Sequence, residues 1–209
     1  INWKKTKDVV RNNNQKQVVY FSLEFLIGRL LVNNMQNLGI YEIAKEGLNE
    51  LGINIHELEE KESDAGLGNG GLGRLAFAIM NGTANMDKNA CGNGLLYKEG
   101  IFEQHFIHGK QIETQDFWFN SEGGHEWINV QPQLTKICKL YGEVKTVYKD
   151  GRVTFELENY TPVKGIVHEL PIIGFDNDRV NTLRLFESKG LNSKELKDLG
   201  LTNFIENSE

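Results

Sequence analysis

The hydrophobic pattern changes character partway along this chain of 209 residues. Near the start, Ile1, Trp3, Val9 and Val10 punctuate a polar stretch, which predicts a short polar helix over residues 1–13. Val18-Val-Tyr-Phe-Ser22 is almost continuously apolar and rich in β-formers, and reads as a buried strand of a mostly parallel sheet. Gly28 then precedes a helical stretch near Arg29–Asn37. Ile40, Ile43, Ala44, Gly47, Leu48 and Leu51 recur every three or four residues, the spacing of a second amphipathic helix, and Gly52 fits its C-cap. Residues 54–63 are charged and read as a third short helix, and the apolar run from Leu72 to Met80 predicts another over about 71–86.

Beyond residue 90 the texture becomes strand-like. Leu95-Leu-Tyr97 and the run from Ile101 to Ile107 read as strands. Cys138–Tyr148 and Val153–Tyr160 flank Lys149-Asp150-Gly151-Arg152, a hairpin turn signal. Ile166–Val167 and Val180–Phe186 add two further strands. The chain shows no repeat, low-complexity segment or linker. Residues 1–209 therefore read as one α/β unit, helix-rich in its first half and strand-rich in its second.

Composition narrows the function classes. The net charge is −6 with no basic stripe, which argues against nucleic acid as a partner. Lys4, Lys5 and Lys7 read as a solvated helix face, as does Glu59-Glu-Lys-Glu62. No apolar run approaches the ~20 residues that span a bilayer, and no signal-peptide pattern is visible, so no membrane partner is expected. Cys91 and Cys138 form no disulfide framework and read as reduced, buried residues of a cytoplasmic protein. His56, His105, His108, His125 and His168 lack metal-ligand spacing, so no metal is expected. Trp3, Trp118 and Trp127 fit core packing or helix docking better than sugar stacking.

The most biased stretch is Asp64-Ala-Gly66-Leu-Gly68-Asn-Gly70-Gly71-Leu-Gly73-Arg74, with five glycines in eleven residues. Such a cluster lets backbone approach something closely, or adopts φ/ψ values that side chains forbid. Because it opens into a helix, unpaired N–H groups and the positive dipole end converge on one point, a ready site for a phosphate or another anion. Gly66-Leu-Gly68-Asn-Gly70-Gly71 formally matches G-x-G-x-x-G, yet the charged Asn54–Ser63 stretch before it is a poor core strand, against a dinucleotide fingerprint. Arg74-Leu75 stands where a P-loop needs Lys-Ser/Thr, which excludes that motif. A loop that merely packs tightly is the plain alternative.

The surroundings are more specific than the loop. Ser22-Leu-Glu24-Phe-Leu-Ile-Gly28-Arg29, followed by the glycine stretch, resembles the α-glucan phosphorylases of glycogen, starch and maltodextrin. Tyr97-Lys-Glu-Gly100-Ile-Phe, Leu170-Pro171-Ile172-Ile-Gly174-Phe175 and Val180-Asn-Thr-Leu-Arg-Leu-Phe186 resemble further stretches of that family, in order, from residue 3 to about 189.

The resemblance implies a two-domain GT-B architecture and transfer of the terminal α-1,4-linked glucosyl unit to inorganic phosphate, giving α-glucose 1-phosphate. It also implies pyridoxal phosphate held as a Schiff base by a lysine, with the cofactor phosphate relaying a proton to substrate phosphate. Onto this chain it places Asn69, Gly70 and Gly71 near the cofactor phosphate. Gly70, Gly71 and Leu72 face the substrate, with Leu72 toward the glucosyl unit, and Glu24 is an active-site carboxylate. Arg29 and Arg74 match family arginines and read as structural ion-pair partners. A family tyrosine is Leu26 here, so any cofactor contact from it is apolar.

There are departures. Asn81-Gly82-Thr83 replaces a more helical sequence, and Gly82 weakens that helix by about 1 kcal/mol relative to Ala. Ala90-Cys91-Gly92-Asn93-Gly94-Leu95-Leu96 lacks an arginine and two aromatics of the family strand, and His168-Glu169 replaces a tyrosine and an aspartate. The family's chains are several times longer. The chain is therefore expected to be an internal piece of a GT-B N-terminal domain, inactive alone, with the cofactor lysine beyond residue 209 and a homodimeric parent. The competing expectations are a non-catalytic glucan-binding or orphan fragment, a related GT-B glucan synthase, and, least favoured, a dinucleotide-binding module.

Overall fold

The computed structural model describes residues 1–119 and 125–198. In chain order its elements are α1 (Asn2–Asn12), β1 (Val18–Phe21), α2 (Leu31–Asn37), α3 (Tyr41–Glu50), α4 (Ile55–Glu59), α5 (Gly71–Asn85), β2 (Ala90–Leu95), β3 (Glu103–Ile107), β4 (Lys110–Thr114), β5 (Asn129–Leu140), β6 (Glu143–Lys149), β7 (Arg152–Glu158), β8 (Thr161–Ile173), β9 (Val180–Lys189) and α6 (Ser193–Asp198). The main sheet has the hydrogen-bonded order β1-β2-β9-β8-β5. The chain divides into two compact units, Ile1–Val130 with His168–Phe186, and Gln131–Val167 with the chain from Glu187 onward.

The first unit is built on parallel pairing, with Val18 opposite Ala90 and Cys91 opposite Thr182. Helix α5 covers one face of this sheet. Its Gly73, Ala76, Phe77, Met80 and Ala84 are buried at helical spacing, and they share a core with Leu170, Leu183 and Leu185. Gly92 makes the approach possible, because a Cβ there would lie 2.9 Å from Leu183 Cδ1 and 3.3 Å from Met80 Sδ. Helix α1 docks by polar contacts. Trp3 Nε1 donates to Thr182 Oγ1 at 2.9 Å, and the Val180 amide donates to Thr6 Oγ1 at 3.2 Å. Lys7 pairs with the buried Glu169 carboxylate, whose other oxygen accepts from Arg184 Nε at 3.0 Å. Lys7 thus leaves the solvated face that the sequence suggested for it.

Glu62 is a second correction. It does not lie on a solvated helix face: its two oxygens accept the Leu30 and Leu31 amides, each at 2.9 Å, and cap the start of α2. The same carboxylate accepts from Trp127 Nε1 at 2.7 Å, so Trp127 docks by a hydrogen bond, while Trp118 is buried in the core.

Several expected burials fail. Strand β1 forms and pairs in parallel, yet Phe21 is 77% exposed and Val18 and Val19 are about half exposed, because β1 is an edge strand and only Tyr20 packs against the core. Helix α3 buries no residue, and Ile43 is 73% exposed. Its end does behave as read: Gly52, at φ +75°, donates to Asn49 O, and Ile53 donates to Leu48 O, a Schellman ending.

In the second unit β6 and β7 pair antiparallel up to Lys149 opposite Arg152. Asp150 and Gly151 sit at φ 50° and 72°, as a two-residue I′ loop requires. The predicted single strand Cys138–Tyr148 is instead two strands, split at Tyr141-Gly142, where both residues have positive φ. Cys91 is buried as expected, but Cys138 is exposed on β5.

Two outcomes follow from this packing. A Cβ at Gly82 would meet nothing within 4 Å, so Gly82→Ala should stabilise the chain by roughly 0.4–1 kcal/mol in chemical denaturation. Burial pushes the Cys91 thiol up from its usual range; iodoacetamide should therefore alkylate Cys138 in the native chain and reach Cys91 only after denaturation, as read by peptide mass mapping.

Candidate functional site

The glycine stretch leads out of a turn region, not a strand. Helix α4 ends at Glu59, and residues 60–70 contain no strand, so the context a dinucleotide fingerprint needs is not formed. None of the five loop glycines has a positive φ. Close approach, rather than forbidden backbone angles, is what demands glycine here, which corrects half of the sequence argument.

That demand splits the glycines into two groups. A Cβ at Gly68 would lie 2.8 Å from the Leu26 backbone nitrogen, one at Gly73 2.9 Å from the same atom, and one at Gly66 2.6 Å from Trp118 Cδ1. These three positions are packing positions. A Cβ at Gly70 or Gly71 would meet nothing within 4 Å, and both residues are exposed. Their missing side chains leave room for something outside the chain.

The packed side of the loop faces the irregular segment after β1. The Phe25 amide donates to Leu67 O at 2.8 Å, and the Leu26 amide to Gly73 O at 3.0 Å. Ser22 Oγ donates to Glu24 O at 2.7 Å and fixes the turn between them. Glu24 therefore stands beside the loop, half-buried, and its Oε2 accepts from the Asn69 amide at 3.2 Å. Among the residues singled out from sequence, Glu24, Asn69, Gly70, Gly71 and Leu72 come together at one place. Leu72 is exposed at 61% on the first turn of α5.

The open side is a helix start. Gly70 is the N-cap, and no side chain caps it. The first intrahelical bond runs from the Arg74 amide to Gly70 O at 3.0 Å, so the amides from Gly70 to Gly73 precede the helical ladder. They point donors and the positive dipole end into the space that Gly70 and Gly71 leave open. The geometry suits an oxyanion. Arg29 lies 3.9 Å from Asp64, the ion-pair role expected of it, whereas Arg74 stacks over the Phe77 ring at 5.8 Å. Leu26 contributes its backbone to the loop, a role sequence reasoning missed because a main-chain contact leaves no residue signature.

A family model described as Phosphorylase: Carbohydrate phosphorylase matches residues 48–209. The chain belongs to the carbohydrate phosphorylase family. It is 40% identical over 187 residues to a glycogen phosphorylase of Bacillus subtilis (strain 168), covering 90% of this chain and 23% of that protein. It is 38% identical over 204 residues to a glycogen phosphorylase of Chlamydia trachomatis serovar D, covering 97% and 25%. Against the brain form of Mus musculus the identity is 37%, covering 98% and 24%. The chain spans about a quarter of the length of these relatives. The helix-rich then strand-rich order matches a GT-B-like N-terminal domain of this family.

The two groups of glycines should separate experimentally. Gly68→Ala should cost roughly 1–3 kcal/mol of stability, because the clash is with backbone. Gly71→Ala, at the first helical position, should leave the melting curve nearly unchanged and weaken binding of an oxyanion, measured by calorimetry with inorganic phosphate as the probe, because its methyl group enters the open space.

Proposed function

We propose that this chain is part of an α-1,4-glucan phosphorylase, which transfers the terminal glucosyl unit of glycogen or maltodextrin to inorganic phosphate and yields α-glucose 1-phosphate. The observation that carries the reading is the uncapped helix start at Gly70-Gly71 beside Glu24, in a chain of this family. Its donors suit the oxygens of a phosphate and the charge that gathers on them during transfer. Glu24 orients the loop through the Asn69 amide, and Leu72 offers an apolar surface to the glucosyl unit.

Family membership implies pyridoxal phosphate in the full enzyme class. The open, side-chain-free backbone at Gly70 and Gly71 fits its phosphate group, and Asn69, Gly70 and Gly71 would lie against it. When bound, that phosphate supplies the proton relay to substrate phosphate. The chain spans about a quarter of its relatives' length, so phosphorolysis is proposed for the whole enzyme and not for this chain alone.

Titration of this chain with inorganic phosphate, followed by amide NMR, should shift the Asn69–Gly73 resonances, while NAD leaves them in place. Saturable NAD binding with no phosphate response would sink the reading. In the whole enzyme, Gly71→Ala should lower α-glucose 1-phosphate release by up to about a thousandfold, the cost of losing one oxyanion donor.

A further inference from the structure

We infer that Tyr97 is a positioning residue for Glu24, holding the peptide group that carries this carboxylate so that it meets the Asn69 amide. The inference rests on the reading of Glu24 given above. Glu24 lies in a stretch with no helix or strand of its own, between Phe21 and Leu31. Beyond the Ser22 turn, its backbone is fixed by contacts from outside the stretch. The phenol of Tyr97 donates to the Leu23 carbonyl at 3.0 Å. That carbonyl belongs to the peptide group joining Leu23 to Glu24, so the bond sets the plane from which the Glu24 side chain departs.

Tyr97 is itself firmly held. Its carbonyl accepts from Trp118 Nε1 at 2.7 Å and from the Gly100 amide at 3.0 Å. Trp118 is buried, and Gly66 packs directly against its ring, because a Cβ at Gly66 would lie 2.6 Å from Trp118 Cδ1. The Ile101 amide also donates to Gly66 O at 2.9 Å. The Tyr97–Ile101 turn thus grips the glycine loop at Gly66 and the Glu24 segment at Leu23, and sets the two segments of the site against one another. Burial, and next the charge of Glu24, push the phenol pKa up. The hydroxyl therefore remains a donor throughout the neutral range, as the contact requires.

The test is a pH titration of the Asn69 amide resonance in this chain. In the unmutated chain the resonance should follow ionisation of the Glu24 carboxyl, and Glu24→Gln should abolish that dependence. Tyr97→Phe keeps the ring and removes only the donor. It should reduce the amplitude of the Asn69 response about fivefold, the loss expected when one hydrogen bond no longer holds a partner in place, while the thermal midpoint moves little. An unchanged Asn69 titration in a folded Tyr97→Phe chain would overturn the inference. Should that variant fail to fold, 3,5-difluorotyrosine in place of tyrosine supplies the second measurement. Its phenol ionises at far lower pH, where the Asn69 amide is still observed; loss of the donor should shift the Asn69 resonance a second time there, and no second shift overturns the inference. Phosphate is absent from every arm. A failure to bind phosphate would count against the proposed function alone, and an Asn69 titration that Tyr97→Phe leaves unchanged against Tyr97 alone.

Discussion

The site depends on one constraint, the contact of two backbones. The segment Glu24–Leu26 and the loop Leu67–Gly73 share hydrogen bonds from Phe25 to Leu67 and from Leu26 to Gly73. Backbones can approach this closely only where no Cβ intervenes, and Gly68 and Gly73 meet that condition against the Leu26 nitrogen. Once the two are locked together, the rest follows. Glu24 is delivered to Asn69, and Gly70 becomes the first residue of a helix start whose donors face outward.

The same contact explains why the site rests on the core. Phe25 is 1% exposed and Leu67 is equally buried, so the two residues that make the Phe25–Leu67 hydrogen bond also anchor both segments in the hydrophobic cluster beneath α5. Glu24 precedes one anchor and Asn69 lies two residues after the other, half-buried and exposed respectively. A short irregular segment therefore gains the rigidity that helices and strands ordinarily supply.

Much of the fold was legible in local pattern. Asp150-Gly151 announced a hairpin because an I′ loop needs residues tolerant of positive φ, and Gly52 announced a helix end for the same reason. Burial was less legible. The apolar runs at Val18–Phe21 and at Ile40–Leu51 predicted their elements but not that these faces stay uncovered, since periodicity reports which side of an element is apolar and not what lies against it. Lys7 and Glu62 were misread for the converse reason. Charge in a polar helix looks solvated until a long-range partner, Glu169 or the start of α2, gives it a buried role. The Tyr141-Gly142 turn escaped because an aromatic residue in the left-handed region has no compositional flag.

The candidate site was legible as a composition and illegible as a geometry. Five glycines in a row of eleven signalled close approach, but nothing in the string separates Gly68, which faces Leu26, from Gly70, which faces open space. That separation has an electrostatic consequence. The Asn69 amide is committed to the Glu24 carboxylate, so an incoming anion meets the later amides with a carboxylate already beside it. Like charges at short range disfavour double ionisation. Under the proposed reading the loop therefore does more than attract phosphate. The helix start stabilises the anion, while the Glu24 carboxyl beside it limits how much negative charge gathers there.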